Sequence, residues 1–119
     1  MHELSVAQSI IDIVHDNVPK PDAPRVKFIH VRIGTMAGIL TESLSFCFDA
    51  IRTDAGLPNA RLSIETVPLT ALCRSCGRTG EIEPYLFRCG SCGDTDLEVV
   101  SGREMTVSEV ELEEREISP

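Results

Sequence analysis

The chain has no tryptophan, one tyrosine and four phenylalanines, so aromatics make up 4% of its 119 residues. Its core must therefore be built from aliphatic side chains. No apolar run approaches the ~18–20 residues that span a bilayer. The opening Met-His-Glu-Leu-Ser lacks the basic region and apolar stretch of a signal peptide. Positive charge is scarce too: 11 Lys and Arg face 19 Asp and Glu, for a net charge of -8. A general nucleic-acid surface needs the opposite balance, because phosphate binding relies on Lys and Arg to displace counterions. There is no Ser-His-Asp set, no phosphate-binding glycine loop and no carboxylate pair placed for acid–base work. These absences argue against an enzyme, a membrane protein and a nucleic-acid binder. They leave one modest domain with a small appendage, and a cytoplasmic location as the default.

What is present is a pair of matched knuckles, Cys73-Arg-Ser-Cys76-Gly77 and Cys89-Gly-Ser-Cys92-Gly93, with twelve residues between Cys76 and Cys89. Four thiolates at this spacing can take one tetrahedral ion, and Zn(II) favours soft sulfur donors without imposing a d-electron geometry. Each glycine lets the chain curl back after its second cysteine, where positive φ is often required. Backbone N–H groups can then point at the sulfurs. Two disulfides, a redox dithiol and a rubredoxin-like iron site are the rival readings. A thioredoxin-like centre would use one Cys-x-x-Cys opening a helix, not two matched knuckles. A four-thiolate site suits a reducing compartment. Between Ala71 and Val100, Arg74, Arg78 and Arg88 face Glu81, Glu83, Asp94, Asp96 and Glu98, a balance of -2. Four thiolates with one Zn(II) add a further -2. So acidic a module points to a protein partner and not to RNA.

Periodicity sets the rest. Leu4, Ala7, Ile11, Val14 and Val18 recur at helical spacing, predicting a first helix over about 4–18 that ends at Pro19. Lys20–Pro24 reads as a linker. Lys27–Gly34 alternates as a strand with Ile29, Val31 and Ile33 inward. Thr41 is the expected N-cap of a second helix running to about Ala55, with Leu44, Cys47, Phe48 and Ile51 on its apolar stripe. Ala60–Val67 and Glu104–Leu112 read as strands, the latter with a slip in alternation near Ser108–Glu109. The fold class is α+β: a small three-stranded sheet with two helices, plus an inserted four-cysteine, zinc-ribbon-like module. The expected domains are 1–70 with 101–119, and an inserted metal-binding domain at 71–100. Among single residues, His15 reads as an exposed side chain near a helix C-terminus. His30 reads as a packing or surface residue, and Cys47 as a small hydrophobe in the apolar stripe.

Met1-His2-Glu3 is the second place to look. An α-amine, deprotonated amides and a near-terminal imidazole can surround Ni(II) or Cu(II) in a tetragonal plane. Glu3 can add an oxygen donor or orient a ligand. The plain alternative is a solvated first turn with Glu3 favourably near the helix dipole. Over nearly its whole length the chain resembles the HypA/HybF family of hydrogenase maturation proteins. The resemblance rests on Met1-His2-Glu3-Leu4-Ser5, Val31-Arg32-Ile33-Gly34, Glu42-Ser43-Leu44-Ser45-Phe46, both knuckles and Gly102-Arg103-Glu104-Met105. It implies a non-enzymatic nickel metallochaperone. His2 is then the essential nickel ligand, Met1 contributes its amine, Glu3 tunes the site, and Cys73, Cys76, Cys89 and Cys92 hold structural Zn(II). It further implies that Ni(II) is cargo for the large subunit of a [NiFe]-hydrogenase, passed on with the GTPase HypB, and that urease maturation proteins are served in some organisms. The alternative is a zinc-ribbon adaptor between proteins, with no nickel site of its own.

Overall fold

The computed structural model describes residues 3–83 and 85–114. Met1 and His2 lie outside the described residues. The elements are α1 (Glu3–Asn17), a 3-10 helix (Lys20–Arg25), β1 (Val26–Gly34), α2 (Thr41–Ile51), β2 (Arg61–Val67), β3 (Thr70–Cys73), β4 (Thr79–Glu81), β5 (Leu97–Ser101) and β6 (Met105–Leu112). They form two three-stranded sheets, ordered β2-β1-β6 and β4-β3-β5. The chain divides into two compact units: Met1–Val31 with Ile39–Ile64 and Val107–Pro119, and Arg32–Gly38 with Glu65–Thr106. Among the described residues, no helix is long and apolar enough to cross a membrane.

In the first unit α1 packs against α2. The face of α1 is Val6, Ala7, Ile10, Ile11 and Val14, all buried, met by Leu44 and Phe48 from the buried side of α2. The alternation of β1 holds: Ile29 and Val31 are fully buried, as is Val26. The core is aliphatic, with Phe48 the one aromatic among the fully buried residues described.

Three local expectations need correction. Lys20–Arg25 is a 3-10 helix, because Pro19, Pro21 and Pro24 fix φ near its helical value while denying the amides that a longer helix requires. The second helix begins at Thr41 but is not capped by it. Leu40 is the N-cap residue and no side chain caps from that position. Instead the Glu3 carboxylate accepts a long bond from the Leu40 N–H, 3.4 Å. The helix also stops at Ile51, four residues early. Leu57 N–H closes back onto the Arg52 carbonyl at 2.9 Å, and Gly56 takes φ +81°, so the final turn becomes a C-terminal reversal.

In the second unit β3 pairs antiparallel with both β4 and β5. Its buried hydrophobic side chains among the described residues are Ile33, Val67, Leu69, Ala71, Cys73 and Cys89. Gly34 and Gly102 meet backbone to backbone. A Cβ on Gly34 would lie 2.0 Å from the carbonyl carbon and oxygen of Gly102, and Gly102 itself sits at φ +113° against Leu69. Met36 N–H donates to the Gly102 carbonyl at 2.7 Å, and Gly34 N–H to Glu104 at 2.8 Å.

Candidate metal centre

The two knuckles share one backbone pattern. Cys73 N–H donates to Arg78 and receives Gly77 N–H at its own carbonyl, both at 2.8 Å. Cys89 N–H donates to Asp94 at 2.8 Å and receives Gly93 N–H at 2.9 Å, the same offsets in sequence. Gly77 and Gly93 adopt φ +77° and +76°, so the expected left-handed turn is present twice. Cys73 is placed by the end of β3 and is buried; Cys89 is buried as well, whereas Cys76 and Cys92 are exposed.

The four Sγ atoms lie within 4.8 Å of one another, with Cys73–Cys92 at 3.5 Å and Cys76–Cys89 at 3.6 Å. None of the four is in a disulfide. Sulfurs around one tetrahedral ion with metal–sulfur bonds near 2.3 Å stand about 3.8 Å apart. The donor set therefore fits a closed tetrathiolate site. Polar clamps join one knuckle to the other across it. Ser75 Oγ donates to Asp94 Oδ2, Arg78 Nη1 to Ser91 Oγ at 3.0 Å, and Arg74 Nη1 to Asp96 Oδ1 at 3.0 Å. Asp94 also accepts the Thr95 and Asp96 amides. The Ser75 hydroxyl, helped by those amides, holds the Asp94 carboxyl below its ordinary range.

The thiols are not equivalent. Amides of Cys92 and then Ser91 stabilise the Cys89 thiolate and bring its pKa down to about 6. The Asp94 amide pulls Cys92 the same way. Hydrogen bonding with Cys73, desolvation and the remaining sulfurs outweigh it, leaving Cys92 at about 12. At pH 7 the Cys89 site is thus already ionised, while a proton at Cys92 must be displaced by the metal. Binding releases protons, so affinity falls with falling pH, and below about 6 the proton on Cys89 competes as well. Metal retention against a colorimetric chelator should accordingly decline from pH 8 to pH 5, more steeply below pH 6. A flat profile over that range would contradict thiolate ligation.

The other expected site residues are placed as follows. Glu3 opens α1 and is half-buried, with its carboxylate turned to the Leu40 amide. Its candidate partners Met1 and His2 are not among the described residues. His15 is exposed and its Nε2–H donates to the Ala55 carbonyl at 2.8 Å. His30 Nε2 lies 3.4 Å from Glu111 Oε2. Neither histidine joins a second imidazole or a thiol in a metal-holding group among the described residues. Cys47 is half-buried on α2. Sequence reading missed the clamps at Ser75, Asp94 and Ser91. Short polar residues inside and just after each knuckle were the available signal.

The family model described as "Hydrogenase/urease nickel incorporation, metallochaperone, hypA" matches residues 1–112. The chain belongs to the HypA family. "Hydrogenase maturation factor HypA" of Desulfatibacillum aliphaticivorans is 37% identical over 117 residues, covering 98% of this chain and 90% of that one. The HypA of Geobacter metallireducens is 37% identical over 113 residues, covering 95% of this chain and all of its own. The solution structure of the Ni metallochaperone HypA from Helicobacter pylori superposes with a TM-score of 0.66 at 21% identity, covering 97% of this chain and 100% of that one. That likeness establishes the HypA fold. HypA proteins are maturation factors that incorporate nickel, not enzymes, and the tetrathiolate cluster sits within the matched span.

Proposed function

We propose that the Met1 amine, local backbone amides and the His2 imidazole bind Ni(II) as cargo, with Glu3 tuning that site. The large subunit of a [NiFe]-hydrogenase receives the ion, and the GTPase HypB works with the chain in the transfer; urease maturation proteins are a further client in some organisms. Cys73, Cys76, Cys89 and Cys92 hold Zn(II) as a permanent structural ion. Residues 1–70 with 101–119 form the nickel-binding domain, and 71–100 the zinc-binding insertion. The work is done in the cytoplasm, a reducing compartment suited to free thiols.

The observation that carries this reading is the nickel-incorporation family match over residues 1–112, which takes in Met1-His2-Glu3 together with both knuckles. The chemistry agrees with it. Amine, amide and imidazole nitrogens suit a tetragonal Ni(II), whereas four thiolates suit Zn(II). A closed four-ligand site keeps its ion, and a site near a chain end stays open to solvent and to a recipient protein. The Glu3 carboxylate also accepts the Leu40 amide, tying the start of α1 to the start of α2.

A His2→Ala variant tests the assignment. It is expected to lose nickel binding by at least about a hundredfold, while zinc content and the circular dichroism of the fold stay unchanged. Unaltered nickel binding would transfer the site elsewhere. Failure of both forms to bind nickel, with hydrogenase maturation intact, would favour the adaptor reading.

A further inference from the structure

Tyr85, Leu86 and Phe87 form one uninterrupted exposed run, at 84%, 46% and 38% exposure. The chain has five aromatic residues, so two of them face solvent within three positions. Singly exposed apolar side chains, such as Phe46 on α2, are ordinary on protein surfaces; a contiguous run marks a contact surface. The tip that carries this run is held in shape. Glu83 and Leu86 form an isolated antiparallel bridge, with Leu86 N–H donating to Glu83 at 3.0 Å, and Arg88 N–H donates to Leu86 at 2.9 Å. Leu86 also lines a groove of about 390 Å³ with Glu81, Ile82, Glu83, Cys89 and Gly90. The groove thus runs from the apolar tip to the second knuckle.

We infer that this tip and groove dock an extended segment of a partner protein that carries an apolar side chain flanked by Lys or Arg. The charge around it selects that occupant. Glu81 and Glu83 are exposed at the groove, with Arg88 the single cation in its lining. The surrounding 71–100 stretch has three arginines against five carboxylates. A second copy of this chain, an anionic membrane or a nucleic acid would each bring like charge to that surface; a basic protein segment brings the complement. Tyr85 and Phe87 supply the area, and the two glutamates supply orientation and on-rate. This surface is independent of the N-terminal nickel assignment.

The test uses the full, metal-loaded chain, isotopically labelled for amide spectroscopy. The probe is a short capped peptide alternating Lys with Leu and Phe; its Glu-for-Lys counterpart is the comparison. The basic peptide is expected to shift amides within 80–83 and 86–90, to weaken as salt is raised, and to bind at least about tenfold better than the acidic one. A Tyr85→Ser/Phe87→Ser double variant and a Glu81→Gln/Glu83→Gln double variant should each lose about tenfold in affinity, with metal content and spectral dispersion retained. No binding, shifts confined to other regions, or unchanged affinity in both variants would overturn the inference. So would a concentration-dependent dimer of the wild-type chain that the Tyr85→Ser/Phe87→Ser variant abolishes, which would make a second copy the occupant.

Discussion

Replacing Cys76 by serine is expected to strip the metal and loosen the β3-β4-β5 sheet while α1 and α2 stay packed. Cys76 is the informative cysteine because it is exposed. Its side chain has little packing to lose, unlike that of Cys73, which is buried at the end of β3. A large effect at Cys76 must then act through the ion. Changes in groups that merely orient metal ligands cost about 10–100-fold in affinity, so loss of a ligand should exceed a hundredfold. In structural sites the free energy of metal binding is free energy of folding. Amide exchange should therefore accelerate across Thr70–Cys73 and Leu97–Ser101, whose pairing flanks the first knuckle. Exchange in α1 at Ile10 and Ile11, buried in the other compact unit, should stay slow. Elemental analysis should give one zinc per wild-type chain and almost none for the variant. Full metal content in Cys76→Ser would refute the tetrathiolate assignment.

The second large effect is expected at Gly34, which touches no sulfur. A methyl group there would stand 2.0 Å from the Gly102 carbonyl, and the obstruction is backbone that cannot rotate away. Three hydrogen bonds fix the same place: Gly34 N–H to Glu104, Thr35 N–H to Val67 and Met36 N–H to Gly102. The Glu104 carboxylate secures the other side, accepting Gly102 N–H at 2.5 Å. Its own amide and that of Gly102 hold its pKa below the ordinary range. Gly34→Ala should destabilise the fold by about 3 kcal/mol or more, a drop in Tm of roughly 10 °C. Gly80→Ala is the control, since a Cβ there meets nothing within 4 Å. Equal melting temperatures for the two variants would show that this close approach does not constrain the fold.

These two sites show what can and cannot be read from residue order. The knuckles were legible because the chemistry is local: four cysteines and two glycines at fixed offsets dictate the turns and bring the four sulfurs together. Helix α1 and strand β1 were legible because each buries one regular face, Ala7, Ile11 and Val14 in one and Ile29, Val31 and Ile33 in the other; Leu4, expected on the α1 face, is exposed, and Val6 is buried in that face instead. The Gly34–Gly102 approach was not legible, although both residues stand in the stretches that carry the family resemblance. Glycine signals either a turn or a close contact, and only the fold says which. The end of α2 was misplaced because apolar spacing continues through Ile51 towards Ala55, while the reversal is set by Leu57 and Gly56 beyond it. Strands β3, β4 and β5 were hidden for a similar reason. They are only three to five residues long, too short for their alternation to stand out in the sequence.

The proposed function contrasts a tightly held structural ion with a transferable one, and the transferable site is proposed at Met1 and His2. The most direct measurement is a nickel titration of the zinc-loaded chain with a free Met1 amine, beside the same chain extended by one glycine before Met1. The extension leaves every side chain in place and moves only the amine out of register with the His2 imidazole. Nickel should bind the native form and be lost from the extended form, with zinc content equal in both. Equal nickel binding by the two forms would contradict that assignment.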